Sequence, residues 1–343
     1  MNLNYSLHQN SSCTNHYDWK QVSLQRPCEH CGRTRWCQYS DKMDQCHYQG
    51  GPGAIEKVRP ETGERYFLYP KNNNGRSEAE APASDIPAQD PPALAAPDLC
   101  DRVYTSLLDA LALTSAHRND LLRRGIDDDI IKRNKYRSYP LKGRGDLVQR
   151  LLETYTQDTL LSVPGFYLKD DKVRIAGAEG LLVPVRAEDG RIAAIKVRAD
   201  DPKPGQSKYT TLSAKKYGGY SPGAPLHFPL GIQWNGPIDR LIIVEGEFKA
   251  EIAALKLQCH ALAIPGVDAW PKAAEWVKQR QDQPKQVDIA FDMDLFTNGK
   301  VLGPLDKFHS TIKAIHPDVG ILEWDPERAK GLDDAILVGL KIT

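Results

Sequence analysis

The feature that most constrains this chain is the alternation in its last hundred residues. Short apolar runs, LIIV at 241–244, HALAI at 260–264, VDIAF at 287–291 and VGILEW at 319–324, are separated by the helical-period segments FKAEIAALKL, AWPKAAEWVKQR and PLDKFHSTIKAIH. Apolar strands that do not alternate with polar residues are buried on both faces, so this order predicts a parallel sheet covered by helices on each side. Ligands of such sheets bind beyond the carboxyl ends of the strands. The acids of the block fall there. Glu245 follows LIIV, with Gly246 permitting a tight turn, Asp292 and Asp294 end VDIAF, and Asp333 and Asp334 follow the last strand in KGLDD. Two apart on an extended strand end, Asp292 and Asp294 are expected to point to one side. Several carboxylates on one rim repel unless a cation neutralises them, and oxygen-only ligands favour Mg2+ (or Mn2+) over zinc or copper. Singly, each acid could equally cap a helix or face solvent; together they favour a cation that clamps a phosphate.

Upstream the chain divides by composition. Residues 1–70 are rich in Cys, His and aromatics and read as a small zinc-binding ribbon. Residues 71–98, rich in Pro, Ala and acids without aromatics, bury too little to fold and read as a flexible linker. Residues 99–237 form an α+β segment and 238–343 the parallel-sheet domain. Within the α+β segment, CDRVYTSLLDALAL, HRNDLLRRG, IIKRN and LVQRLLETYTQDTLL have helical spacing, with Gly125 placed as a C-terminal cap. GLLVPVR and RIAAIKVRA, joined by Glu188–Gly190, predict a hairpin.

Seven cysteines, five of them within the first 46 residues of a chain without a recognisable secretory signal, point to metal rather than disulfides. Cys28, Cys31, Cys37 and Cys46 place four thiolates within 19 residues, enough for tetrahedral zinc. A rival set pairs Cys13 and His16 with Cys28 and Cys31 and leaves Cys37 and Cys46 idle. Trp36, Tyr39 and Tyr48 interleave with Arg33, Arg35 and Lys42, either to stack single-stranded bases or to form the ribbon's own core. A formal net charge of zero excludes a globally basic nucleic-acid coat, so any such surface is local. No apolar run is long enough to span a membrane, and a cytoplasmic location is expected.

The run LIIVEGEFKAEIAAL…ALAIPGVDAW…VDIAFDMD…KGLDDAI, over about residues 239–340, resembles the Toprim fold shared by DnaG-type primases, topoisomerases and some nucleases. Glu-Gly-Glu-x-Lys followed by Ile-Pro-Gly-Val resembles Toprim-like proteins of plasmids, phages and integrated elements. The resemblance implies that Glu245 is a general acid/base facing a metal, that Asp292 and Asp294 are the metal-binding Asp-x-Asp, and that Asp333 and Asp334 lie near a third acidic cluster. Met293 departs from the glycine often found between the two aspartates. GLLVPVRAEDGRIAAIKVRADD with SKYTTLSAKKYGG is similar, more loosely, to the basic region preceding Toprim in these primases. That likeness implies that Arg198 and Lys208, with Lys196 beside them, face template or nucleotide phosphate. Cys-x2-Cys-Gly-x-x-x-Trp-Cys resembles the N-terminal ribbons of mobile-element primases, which favours the Cys28, Cys31, Cys37, Cys46 set.

The expectation is therefore a DNA primase-like nucleotidyltransferase of a plasmid, phage or integrated element, with Zn2+ and Mg2+ (or Mn2+) as cofactors. Its partners would be single-stranded DNA, ribonucleoside triphosphates and a separately encoded helicase, since the chain has no Gly-x4-Gly-Lys-Ser/Thr motor loop and ends soon after the Toprim-like block. The rivals are a nuclease using the same acids and a non-catalytic nucleic-acid-binding module.

Overall fold

The computed structural model describes residues 18–71, apart from 24, 34–36, 49, 52 and 59–64, and residues 93–343, apart from 204, 281–283 and 294–298; for 299–302 it describes the backbone alone. The chain divides into two compact units, Met1–Pro91 and Pro92–Thr343. Most of the expected linker, and with it Cys13, His16, Arg35, Trp36 and Asp294, lies outside the described residues.

The first unit is an antiparallel sheet of short strands, β1 (Lys20–Gln21), β2 (Gln38–Tyr39), β3 (Met43–Cys46), β4 (Ile55–Val58) and β5 (Arg65–Pro70), in the order β1-β2-β3-β5-β4. So little chain buries little apolar surface. Its buried cluster is Val22, Tyr69 and the four cysteines Cys28, Cys31, Cys37 and Cys46.

The second unit opens with α1 (Pro97–Asp109), α2 (Ser115–Arg123), α3 (Asp128–Asn134), β6 (Arg137–Tyr139), α4 (Arg144–Leu152) and α5 (Gln157–Ser162). Helix α1 thus begins inside the stretch read as linker, with Pro97 at its start, where a missing N–H costs nothing. Gly125 ends α2 at φ +80°, a left-handed cap. The segment 147–161, expected as one helix, is two. Thr156 is extended and its Oγ1 accepts the Thr159 N–H, so it starts α5 as an N-cap instead of continuing α4.

Next come the ribbon β7 (Phe166–Lys169) and β8 (Lys172–Ile175), which periodicity did not predict, then β9 (Gly180–Arg186), β10 (Ile192–Ala199) and β11 (Tyr209–Thr211). The hairpin β9–β10 forms as expected, and the sheet runs β11-β10-β9-β6, antiparallel. Every residue of β9 is buried, because both faces are covered. Leu182 joins the core of α1, α4 and α5, while Leu181 and Val183 join Ile130, Ile131, Phe248 and Ile252.

The last part is β12 (Ile238–Glu245), α6 (Glu247–Leu257), β13 (His260–Ile264), α7 (Trp270–Lys278), β14 (Pro284–Ala290), α8 (Gly299–Ile315), β15 (Val319–Ile321) and α9 (Leu332–Leu337). The sheet is parallel throughout, in the order β13-β12-β14-β15. Crossovers run one way from β12 to β13 and the other way from β13 to β14. Right-handed connections then put α6 on one face and α7 and α8 on the other; accordingly α7 packs on α8 and α6 on α9. Helix α8 starts before Pro304, which sits inside it rather than at its first position. Helix α6 serves two sheets: Ala250 and Ala253 face the parallel sheet's core, while Phe248 and Ile252 face β9. Among the described residues no helix is long and apolar enough to cross a membrane.

Candidate active site

Because β12 is flanked by β13 and β14, the crossovers change direction beside its carboxyl end. Such a switch point leaves a crevice that connecting loops do not cover. A cleft of about 920 Å3 opens there. Glu245 ends β12 on its rim. Gly246 follows at φ +96°, a conformation that costs glycine little, and its N–H donates to the Ile264 carbonyl at 3.1 Å. The chain therefore turns directly from strand into α6.

Six acids are among the residues that line the cleft: Glu245, Glu247, Asp268, Asp292, Asp333 and Asp334. Asp292 lies just beyond β14, and Asp333 and Asp334 stand in the first turn of α9. Met293 is buried, and its N–H donates to the Lys330 carbonyl at 2.9 Å, joining the loop after β14 to the loop before α9. The side chain between the two aspartates is thus directed away from the cleft, whereas Asp294 is outside the described residues. Burial pushes the Asp333 carboxyl above the ordinary aspartate value, against the pull of Lys249 and with the push of Asp334. Asp334 is exposed.

Cations complete the lining: Arg124, Lys196, Lys208, Lys249 and Lys330. Of the residues expected from sequence, Glu245, Asp292, Asp333, Asp334, Lys196 and Lys208 are brought to this one cleft. Arg198 is not among its lining residues. Instead its guanidinium pairs with Asp120 at 3.1 Å, as does Arg124 from the end of α2. Burial alone would raise the Asp120 carboxyl, but Arg124, Arg198 and Arg123 together hold it below its ordinary value. Asp120 thereby fixes Arg124 at the cleft. The nearby Arg198, then burial, then Arg124 lower the Lys208 ammonium. Lys196 faces the same side of β10 as Arg198, yet its ammonium is committed to Glu247 at 2.5 Å, with both side chains nearly buried.

Sequence reasoning missed Arg124, Tyr209 and Thr211, which line the cleft from α2 and β11. The doubled arginine before Gly125 was a visible signal, but which of the two faces inward depends on how α2 packs. Lys249, in the first turn of α6, donates to Asp292 Oδ1 at 2.5 Å.

In the first unit the sulfurs of Cys28, Cys31, Cys37 and Cys46 all lie within 4.8 Å of one another, and no other such ligand group occurs among the described residues. Cys31 and Cys37 sulfurs are 3.6 Å apart and Cys37 and Cys46 sulfurs 3.9 Å. A tetrahedron with zinc–sulfur bonds of 2.3 Å has edges of about 3.8 Å, so the set fits zinc. Hydrogen bonds from Cys31, then Cys37, draw the Cys28 thiol down to about 7, and Cys46 is also lowered, while Cys31 and Cys37 are pushed up. Four crowded thiols cannot all ionise without a cation among them. Tyr39 and Tyr48 carry Arg26 and Arg33 over their rings at 3.8 and 4.1 Å and pack against this cluster. They serve the small core.

A family model described as a domain of unknown function (DUF3854) matches residues 234–340. No curated protein matches the sequence. Among solved structures, the DnaG catalytic core is similar at a TM-score of 0.53 and 16% identity, over 71% of this chain and 76% of that one. The Aquifex aeolicus primase, comprising zinc-binding and RNA polymerase domains, is similar at 0.53 and 13% identity, over 90% of this chain and 81% of that one. The RNA polymerase domain of Mycobacterium tuberculosis primase DnaG, in complex with a double-stranded DNA oligomer with a 6-nucleotide overhang, is similar at 0.53 and 15% identity, over 73% and 82%. The chain shares the fold of these primase domains.

Proposed function

We propose that the chain is a DNA primase-like nucleotidyltransferase that makes short RNA primers on single-stranded DNA. The observation that carries this reading is the cleft itself. Carboxylates Glu245, Asp292, Asp333 and Asp334 and cations Arg124, Lys196 and Lys208 line one switch-point crevice, in a fold shared with the DnaG catalytic core. In this reading residues 238–343 are a Toprim catalytic domain, 99–237 the basic subdomain, 71–98 a linker and 1–70 a zinc ribbon, the protein of a mobile element acting in the cytoplasm beside a separate helicase.

The donors are of the kind that a divalent cation such as Mg2+ or Mn2+ takes, all of them oxygen, and Asp333 is a buried carboxyl that a cation would help to ionise; among the described residues they do not converge as the four cysteines do, so a cation would have to draw them together. Such an ion, when bound, would stabilise charge on the phosphate undergoing displacement. The chain's own groups do the rest. Glu245 takes the proton from an attacking 3′-hydroxyl, whose oxygen bonds to the α-phosphorus as pyrophosphate leaves. Asp292, Asp294, Asp333 and Asp334 are the residues that would hold such an ion. Lys208 and Arg124 hold phosphate by charge, which positions without reading sequence. Arg198 supports them through Asp120. In the first unit, Cys28, Cys31, Cys37 and Cys46 hold Zn2+, and the ribbon engages template.

The test is primer synthesis on single-stranded DNA with labelled ribonucleotides and Mg2+, comparing wild type with Asp292→Ala. Short labelled products, lost in the variant by a factor on the order of 100 or more, are expected. Asp292-dependent degradation of the template would replace the reading with a nuclease, and DNA binding without either reaction would leave a binding module.

A further inference from the structure

Three elements meet at Lys249. It stands in the first turn of α6, and its ammonium donates to Asp292 Oδ1, past the end of β14, at 2.5 Å. Its stem passes under Gly331 at the start of α9. A Cβ on that glycine would come within 2.9 Å of Lys249 Cε and 2.5 Å of Asp333 Oδ1, with Asp292 Oδ1 at 3.5 Å. Lys249, Asp292 and Asp333 therefore crowd one point beside Gly331, and the bare backbone there leaves the room they need. The pair is sheltered, the Lys249 and Asp292 side chains being 18% and 20% exposed. Lys330, the other cation near Asp292, is 4.0 Å away and 62% exposed. Glu247, the neighbouring acid on the same turn, is already paired with Lys196.

Carboxylates on successive strand ends are the usual frame for two divalent ions about 3.5–4 Å apart. An ammonium held against one of those carboxylates competes for the same oxygens, because like charges a few ångströms apart in a sheltered cleft repel strongly. Resting on the reading of the cleft as a divalent-ion site, we propose that Lys249 is a built-in cation that fills an ion position between Asp292 and Asp333. The cleft then takes fewer divalent ions than its carboxylates could hold. An ammonium brings one charge instead of two and has no open coordination position. It neutralises and orients Asp292 but cannot act as a Lewis acid on a phosphate oxygen; its remaining N–H bonds can still donate to one. Lys249 is thus a positioning residue that sets the metal count of the site.

The measurement is the number of Mn2+ ions bound by the zinc-replete full chain, read from the loss of the free Mn2+ electron paramagnetic resonance signal. Lys249→Ala, which removes the ammonium and opens its volume, is expected to bind one more ion than wild type. Lys249→Arg, which keeps the charge, is expected to match wild type, and melting curves show that both variants fold. Equal non-zero counts in wild type and Lys249→Ala overturn this inference and leave the proposed metal chemistry standing. No ion in wild type and one in Lys249→Ala keeps the inference and overturns the metal chemistry. No ion in either overturns both.

Discussion

Asp333 is buried in the first turn of α9, and burial, only partly opposed by Lys249, raises its carboxyl above the ordinary value of 3.8. A raised folded value means that folding favours the protonated acid. The stability it contributes is whole below 3.8 and is lost as pH rises through the raised value. Asp333→Asn keeps the shape without the charge, so its melting temperature should exceed that of wild type at about pH 7 and converge with it at about pH 4. Parallel melting curves for the two proteins across that range would refute this. Added Mn2+ should narrow the gap at neutral pH, since a cation favours the ionised acid. The presence of Asp333 at the rim was legible because Lys-Gly-Leu-Asp-Asp follows the last apolar run. Its burial was not, since that depends on Lys249 and on the packing of α9 against α6, far apart in sequence.

At the scale of elements, α6 is the pivot. Two buried pairs on successive turns tie it to its surroundings: Glu247 to Lys196 of the antiparallel sheet at 2.5 Å, and Glu251 to His227, in the segment that bridges Ala263 of β13, at 3.3 Å. His227 Nδ1 accepts the Arg186 backbone N–H, so its Nε2 carries the proton given to Glu251. Lys196→Met leaves Glu247 buried without its ammonium and should cost about 3–5 kcal/mol in denaturant unfolding. Lys196→Met with Glu247→Gln removes both charges and should recover most of that loss. A double variant as unstable as the single one would show that the lysine acts elsewhere than on Glu247. This pairing marks a limit of sequence reading. The strands β12 to β15 and the helices between them were legible because buried parallel strands are short apolar runs and helices repeat every 3.6 residues. Lys196 and Arg198, two apart in β10, share one of its faces. Parity cannot say what the opposing helix offers, and it offers Glu247 to one and Asp120, from α2, to the other. The ribbon β7–β8 escaped notice because its run from Phe166 to Ile175 is broken by Asp170 and Asp171, both at positive φ in the turn.

For the whole molecule, the two compact units have separate cores of unequal kind. The second is held by extended apolar clusters around its two large sheets. The first buries Val22 and Tyr69 around four cysteines, far too little apolar surface to offset the entropy of ordering its strands. Its stability must come from what the sulfurs bind, and zinc sites of this type contribute on the order of 10 kcal/mol. Calorimetry of the full chain should therefore show two transitions. A strong zinc chelator should abolish the one belonging to the first unit while moving the other by no more than about 2 °C, a shift worth less than about 1 kcal/mol for a domain of this size. Cys37→Ser should do the same without chelator, because Cys37 is fully buried among the other three sulfurs. Limited proteolysis after chelation should cut within residues 18–71 and spare 93–343. A single transition that chelator lowers as one would mean that the first unit's metal stabilises the second unit as well, and the two-unit account of stability would fail. If the two transitions separate as expected, Mn2+ binding by the cleft should survive removal of the zinc by a strong chelator selective for zinc over Mn2+, because oxygen donors alone build that site. On the proposed function, in which the ribbon engages template, primer synthesis should not.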